Sequence, residues 1–239
     1  MNVNIGGGSA AHEGWQNFDA INGFALTPET CFPVHDGTTP IVYSSHCLEH
    51  LNDKTIDRVL AEARRMLAPD GHLVLKLPDY ERVIERYEAG DEAFFNQWGH
   101  QKIAHMWPAQ GVTDSLSARA CMIFCGVWNP AYGDANAHFT KQIGTGDDAY
   151  HGPIPMEEES YQTILKWKSL RQVAQMMAAC KPHGWHFNHQ TAWSHVELTY
   201  LLEMHGFKIV SQDAEDAKEI PIPDIGAQEA ISMYVVARK

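Results

Sequence analysis

The sequence is short of positive charge, of cysteine and of long apolar runs, and each shortage narrows what the protein does. Its 239 residues carry 18 Lys and Arg against 30 Asp and Glu, a formal charge of −12. Nucleic-acid affinity draws on Lys and Arg that displace counterions from phosphate backbones, and no basic cluster occurs anywhere, so no nucleic-acid partner is expected. No run of about 18 apolar residues is present to span a bilayer, so no membrane partner is expected either. The start, Met1-Asn2-Val3-Asn4-Ile5, lacks a basic n-region and an apolar h-region, which points to the cytoplasm. Five cysteines, at positions 31, 47, 121, 125 and 180, suit reduced thiols better than a disulfide framework. Cys121 and Cys125 lie one helical turn apart, but within Ala120-Cys121-Met122-Ile123-Phe124-Cys125-Gly126 they resemble small core hydrophobes, and no metal is assigned to them.

What is present is a 44% hydrophobic chain, long enough to bury one sizeable core or one core with a large insertion. Val3-Asn4-Ile5 runs into Gly6-Gly7-Gly8, a strand followed by a backbone-permissive turn. Trp15 to Phe18 is a second short strand, ending on Asp19. Between Gly8 and Trp15 there is too little chain for the helix that joins parallel neighbours. Two readings are open: the helix is missing or reduced to a turn, or the two strands are not neighbours. Residues 23 to 40, with Pro28, Pro33 and Pro40, are irregular, and a strand near Phe32-Val34 is one possibility. Ile41 to Ser44 is a buried strand. A helix from Asp53 to Leu67, capped by Asn52 or Asp53 and stopped at Pro69-Asp70-Gly71, leads into a strand over His72 to Leu77. That strand–helix–strand unit implies a parallel sheet with its crevice at the C-terminal strand ends.

The last 47 residues repeat the style. Ser194 caps a helix over His195 to Met204 that turns Val196, Leu198, Leu201 and Leu202 inward and ends at Gly206. Lys208-Ile209-Val210 and Ile231 to Ala237 follow as strands able to pair antiparallel. Residues 79–192 do not alternate strand and helix, and hold five of the seven tryptophans (98, 107, 128, 167, 185) and half of the histidines. Helices are expected at Asp79 to Glu88 and Tyr161 to Ala179, with Glu157-Glu158-Glu159 a solvated helix start. The predicted fold is α/β: a Rossmann-like, mostly parallel sheet with an antiparallel C-terminal edge and a large inserted cap. Residues 1–78 and 193–239 form the core, and 79–192 the cap that shapes a substrate pocket.

Asn4-Ile5-Gly6-Gly7-Gly8 with Asp19, then Tyr43-Ser44-Ser45-His46-Cys47-Leu48-Glu49-His50-Leu51, then Leu60 to Leu73 with Pro69-Asp70-Gly71, resemble a class I S-adenosylmethionine-dependent methyltransferase. Within that superfamily the chain is similar to the methyltransferase type 11 group, with a shortened first crossover. The resemblance implies S-adenosylmethionine as cofactor, held by Ile5, Gly6, Gly7, Gly8, Asp19, Ser44, Ser45 and His46. The adenine side, where residues 25–36 depart from the family pattern, falls to Leu26, Thr27 or Asp36. It also implies that His46, or Asp79 with Tyr80, contacts the methyl or the acceptor.

The residues argue the same way. A nucleotide-like ligand lays its polar end on the bare N–H groups of a glycine turn and its ribose on a carboxylate at the next strand end. Gly6, Gly8 and Asp19 supply these. In dinucleotide sites the acid follows about 20 residues later and a helix N-terminus holds the pyrophosphate. Here Asp19 comes sooner and the helix is lacking, which suits a ligand without phosphate. Methyl transfer from an activated sulfonium rests on positioning, with a base only for a hydroxyl or protonated amine, and histidine suits that role. His183, His186 and His189 are assigned to ordinary hydrogen bonding or substrate contact. The cap tryptophans form their own small core or stack on a sugar. The expected acceptor is a small molecule or saccharide, the protein a monomer or homodimer. A non-catalytic cofactor-binding homologue and a nucleotide-dependent sugar-modifying enzyme remain as alternatives.

Overall fold

A computed structural model describes residues 1–8, 12–96, 113–125, 157–166, 189–223 and 230–239. The chain divides into two compact units, one of Met1–Pro78 with Trp193–Lys239 and the other of Asp79–Ala192.

The first unit is built on a six-stranded sheet. Its strands are β1 (Asn2–Ile5), β2 (Trp15–Phe18), β3 (Thr39–Ser45), β4 (Leu67–Pro78), β5 (Lys208–Ser211) and β6 (Ser232–Arg238), in the order β2-β1-β3-β4-β6-β5. β2, β1, β3 and β4 run parallel, while β6 pairs antiparallel with both β4 and β5. This is the mostly parallel Rossmann-like sheet with an antiparallel edge. Of the two readings for the start of the chain, the first holds: β1 and β2 are direct parallel neighbours, Asn2 opposite Trp15 and Ile5 opposite Phe18, and residues 6–14 leave no room for a crossover helix. Turn bonds replace it, with Trp15 N–H donating to His12 O at 3.1 Å and Asn2 N–H to Gly14 O at 3.1 Å.

No strand forms near Phe32-Val34. Phe32 instead buries its ring against Phe18 and Phe24 in the core, and its N–H donates to Glu62 at 3.0 Å rather than to a ladder. The helix α1 (Asp53–Met66) is capped by Asn52, whose side chain accepts from Thr55 N–H at 3.0 Å. It ends before Ala68, which the following proline pushes toward extended backbone. β4 begins earlier than expected: Leu67 already pairs with Thr39, and the register then slips so that His72 faces Ile41. Gly71 sits in that slip, where a Cβ would lie 2.9 Å from Thr39 O.

Period-two alternation sorts the sheet into two faces. One carries Val3, Ile5, Phe18, Val42, Leu73, Leu75, Leu77, Met233 and Val235 against Ile56, Val59, Leu60 and Ala63 of α1 and Leu198 and Leu202 of the helix His195–Met204. The other carries Ile41, Tyr43, Val74, Tyr234 and Val236 against Ala217 of the short helix Ala214–Lys218. The helix His195–Met204 opens with a full capping box between Ser194 and Glu197 and closes through Gly206 at φ +79. Val196 does not turn inward: it is 77% exposed, on the outer stripe with Tyr200 and Met204.

The second unit is described over α2 (Tyr80–Glu88), α3 (Glu92–Asn96), Leu116–Cys125 and Glu158–Lys166. Tyr80, Phe95, Phe124 and Tyr161 are buried in it. Cys121 is a core thiol that donates to Tyr161 O at 3.7 Å. Glu158 is not a merely solvated helix start. Burial pushes its carboxyl up, and bonds from Ser115, Ser117 and Gln162 more than offset this, holding it below the usual range. The tryptophans 98, 107, 128, 167 and 185, the histidines 100, 105, 183 and 186, the side chain of Cys125 and the continuation of the expected helix to Ala179 lie outside the described residues.

Candidate functional site

The C-terminal ends of β1, β2 and β3 meet at the glycine turn. β1 delivers Gly6 at φ +72, and Gly8 lies at φ +60, a left-handed region open to glycine at no steric cost. A Cβ on Gly6 would overlap the Cys47 side chain, and one on Gly7 would overlap the Asn4 amide and approach Asn17. A Cβ on Gly8 would meet nothing within 4 Å, so Gly8 borders open space. The turn's N–H groups are not bare. Gly6 N–H donates to Phe18 O at 2.9 Å, Gly7 N–H to Asn17 Oδ1 at 3.2 Å, and Gly8 N–H to Asp19 Oδ2 at 3.0 Å. The donors expected to be bare are thus taken up within the protein, two by β2 and the third by Asp19 just past its end.

Asp19 therefore has a structural duty. Its other oxygen accepts from Ile21 N–H at 2.8 Å, capping the single turn Ala20–Asn22. A carboxylate offers about four lone-pair sites, and two are used, which leaves two for a ligand diol.

Asn4 and Ser45 complete this corner. Asn4 stands opposite Tyr43 in the ladder, and Ser45 lies two residues beyond Tyr43, so both project from the same sheet face. Asn4 is 1% exposed and Ser45 7% exposed, yet Asn4 Oδ1 and Nδ2 and Ser45 Oγ find no hydrogen-bond partner among the described residues. Buried polar atoms without partners are uncommon, because each forfeits its hydration. Asn4 stood in the motif run but was not named as a site residue; its signal, an asparagine two residues before the glycine turn, was there to be read.

Past β3 the chain turns sharply. His46 is the one non-glycine residue with positive φ, +47, among the described residues. Its N–H donates to Lys76 O at 2.8 Å, its Nε2 lies 2.8 Å from Ser232 Oγ at the start of β6, and its Nδ1 lies 3.4 Å from Glu49 Oε1. Glu49 is fully buried on the turn Leu48–His50, with His50 Nε2 3.8 Å from the same oxygen. Neither Glu49 nor Ser232 stood out as a site residue, since their meeting with His46 depends on sheet order. Burial, then the charges of Glu49 and Asp19, push the Cys47 thiol far up, so Cys47 packs under Gly6 as a neutral thiol.

The remaining candidates have local duties. Ser44 Oγ donates to Ile5 O at 2.9 Å, both residues buried. Thr27 builds a turn, its hydroxyl accepting from Glu29 N–H and its N–H donating to Thr30 Oγ1 at 2.7 Å. Leu26 packs against the core. Asp36 accepts from Arg65 at 2.6 Å, next to Gly37 and Thr38, whose N–H groups bond the last carbonyls of α1. That places Asp36 at the N-terminal end of β3, the opposite end from Ser45 and His46, so the structure does not bring it to the glycine turn. Asp79 caps α2, accepting from Arg82 N–H at 3.0 Å and pairing with Arg82 at 3.3 Å. Tyr80 is fully buried, its hydroxyl 2.8 Å from His189 Nδ1.

Residues 13–75 match the family described as a methyltransferase domain. No curated protein matches the chain by sequence. Among solved structures, the chain resembles a Haloferax volcanii methyltransferase in complex with the Trm112 methyltransferase activator at 13% identity and TM-score 0.41, covering 99% of this chain and 80% of that one. It also resembles an S-adenosylmethionine-dependent methyltransferase from Mesorhizobium loti at 13% identity and TM-score 0.40, over 99% and 89%. A third is PKMT2 from Rickettsia typhi with AdoHcy, at 9% identity and TM-score 0.39, over 99% and 48%. The fold assignment rests on the strand order, not on these likenesses.

Proposed function

We propose that the chain is a class I, S-adenosylmethionine-dependent methyltransferase that methylates an oxygen or nitrogen of a small molecule or saccharide in the cytoplasm, a reading supported by the match of residues 13–75 to a methyltransferase domain. The observation that carries the cofactor reading is the glycine turn itself. With its three N–H groups spent on Phe18, Asn17 and Asp19, it has none to offer a pyrophosphate. A cofactor without phosphate loses nothing there.

The residues fit such a cofactor. Asp19 takes the ribose hydroxyls on its remaining lone pairs, the orphaned Asn4 amide and Ser45 hydroxyl meet the polar methionyl end, and Gly8 keeps the approach open. Bound there, S-adenosylmethionine supplies a methyl group already activated as a sulfonium. The protein's task is then to align the acceptor and receive its proton, and His46 is the base in reach of the strand ends. The first unit acts as the cofactor core, and the second, Asp79–Ala192, selects the acceptor. A charge of −12 disfavours polyanions and narrows the acceptor to small molecules and sugars.

Calorimetry with S-adenosylhomocysteine and with NAD tests the cofactor: the first binds and the second does not, and binding of NAD alone would overturn the reading. Asp19→Ala weakens S-adenosylhomocysteine binding, while Asp19→Asn, which keeps one acceptor oxygen, weakens it less. Unchanged affinity in Asp19→Ala would remove Asp19 from the site. A turnover screen over sugars, amines and phenols identifies the acceptor; cofactor binding with no transfer to any of them would favour a non-catalytic homologue.

A further inference from the structure

Gly7 is a glycine for a different reason from its neighbours. Gly6 and Gly8 take positive φ, and Gly7 does not. What excludes a side chain there is crowding: a Cβ would lie 2.1 Å from Asn4 Nδ2 and 2.6 Å from Asn17 Oδ1. Asn4 and Asn17 stand opposite each other in the ladder of β1 and β2, so both side chains lie on one sheet face, beneath the turn. The middle of the turn is bare so that two asparagines can come close to its backbone.

Asn17 uses that closeness twice. Its Oδ1 accepts from Gly7 N–H at 3.2 Å and its Nδ2 donates to Gly8 O at 2.6 Å, so one primary amide bridges the two glycines. A side-chain amide carries the same kind of donor and acceptor as a peptide group, and here it stands in for a backbone partner. In a full-length crossover a helix would follow Gly8 and order it, but residues 9–14 are too few to build one. Gly8 N–H in turn donates to Asp19 Oδ2 at 3.0 Å, and the other Asp19 oxygen caps the turn Ala20–Asn22. From that turn Asn22 Nδ2 also reaches Gly8 O, at 3.4 Å. The carboxylate is therefore aimed by Gly8, and Gly8 is held by Asn17.

We propose that Asn17 is a positioning residue of the cofactor site: its amide takes over from the absent crossover helix as the clamp on the glycine turn, and through Gly8 it fixes the Asp19 carboxylate in the orientation that receives the ribose hydroxyls. The inference rests on the cofactor reading for the identity of the ligand, though not for the clamp. Asn17 acts through Gly8 and not on the ligand. Its contribution is preorganisation, since a turn already held does not have to be ordered when the ligand arrives. An amide suits this task where its relatives do not. A carboxylate would set its second oxygen against Gly8 O, and a hydroxyl has one polar atom for the two groups.

Calorimetry with S-adenosylhomocysteine on Asn17→Leu, which keeps the shape of the side chain and loses both bonds, tests this. The expected result is an affinity about tenfold weaker than that of the parent protein. Repeating the substitution in Asp19→Ala separates positioning from support of the fold. With the carboxylate gone there is nothing left to aim, so Asn17→Leu should weaken binding by less than about twofold further. Losses that multiply in the double variant, or an unchanged affinity in Asn17→Leu alone, overturn the proposal. Should Asn17→Leu not fold, nitrogen-15 NMR of the parent protein decides: an Asn17 Nδ2 proton that exchanges slowly with solvent supports the clamp, and exchange at the rate of an unbonded amide overturns it. A parent protein that does not bind S-adenosylhomocysteine refutes the cofactor reading, whereas binding in the parent and equal binding in Asn17→Leu refutes the role of Asn17 alone.

Discussion

Gly6 and Gly8 occupy the same left-handed region but differ in what surrounds them, which separates backbone cost from packing cost. At Gly8 a methyl group enters open space, so Gly8→Ala costs only the left-handed penalty of about 1–2 kcal/mol. At Gly6 the same methyl drives into Cys47, adding an overpacking cost of about 1–3 kcal/mol. Urea denaturation of the two variants should therefore rank Gly6→Ala well below Gly8→Ala. Equal midpoints would show that Cys47 yields freely. Glu62 offers a second test. Its hydrogen bonds from Arg65, set against burial and joined by Phe32 N–H and the charge of Arg58, hold its carboxyl below the usual glutamate range. A folded value below the unfolded one means the stabilisation is fully present above the ordinary value of about 4.3 and is lost as pH falls through the folded value. Glu62→Gln should cost about 1–3 kcal/mol at neutral pH and flatten the acid limb of the stability curve, measured by denaturation between those limits.

Individual elements differ in how much of them the sequence discloses. α1 and β3 were legible because their signals are local: an Asn52 cap, apolar residues at helical spacing, a β-branched run. The strand expected near Phe32-Val34 was apolar enough, but Glu62 and Arg65 on α1 take up the Phe32 N–H and the Phe32 and Val34 carbonyls, so the backbone has no ladder to join. Val196 misled for a related reason. Spacing alone fits it to either flank of the apolar stripe, and the docking of Leu198 and Leu202 onto the sheet decides that it faces outward. In the site, Gly6, Asp19 and His46 could be picked out by motif, whereas Glu49 and Ser232 become neighbours of His46 only through the turn and the strand order. The capping box of the helix His195–Met204 gives an element-level prediction. Ser194→Ala removes the acceptor for Glu197 N–H and should cost about 1 kcal/mol, read as a shift of the denaturation midpoint at unchanged slope.

For the molecule as a whole, ligand binding and folding are linked. S-adenosylhomocysteine at a hundred times its dissociation constant should add about 2.7 kcal/mol of stability. For a chain of this size that is a rise of about 5–10 °C in melting temperature. Scanning calorimetry with and without the ligand measures it, and NAD at equal concentration should leave the melting temperature unmoved. Among the described residues no helix is long and apolar enough to cross a membrane.

The way β4 acquires its two neighbours bears on how the chain matures. One side is covered by β3, close by in sequence. The other waits for β6, where His72 meets Arg238 across a separation of 166 residues. Closing a loop of that size costs about 2–3 kcal/mol more than closing one of ten residues, so this pairing is set to come late. Until it does, β4 presents an open strand edge whose side chains Leu73, Val74, Leu75 and Leu77 are all destined for the interior. During synthesis at about 5–20 residues per second, that edge stays uncovered for roughly ten seconds or more after it leaves the ribosome. Such an edge is a template for pairing with a neighbouring chain, so the yield of this protein in a cell is governed by how well β4 is sheltered before its last strand arrives.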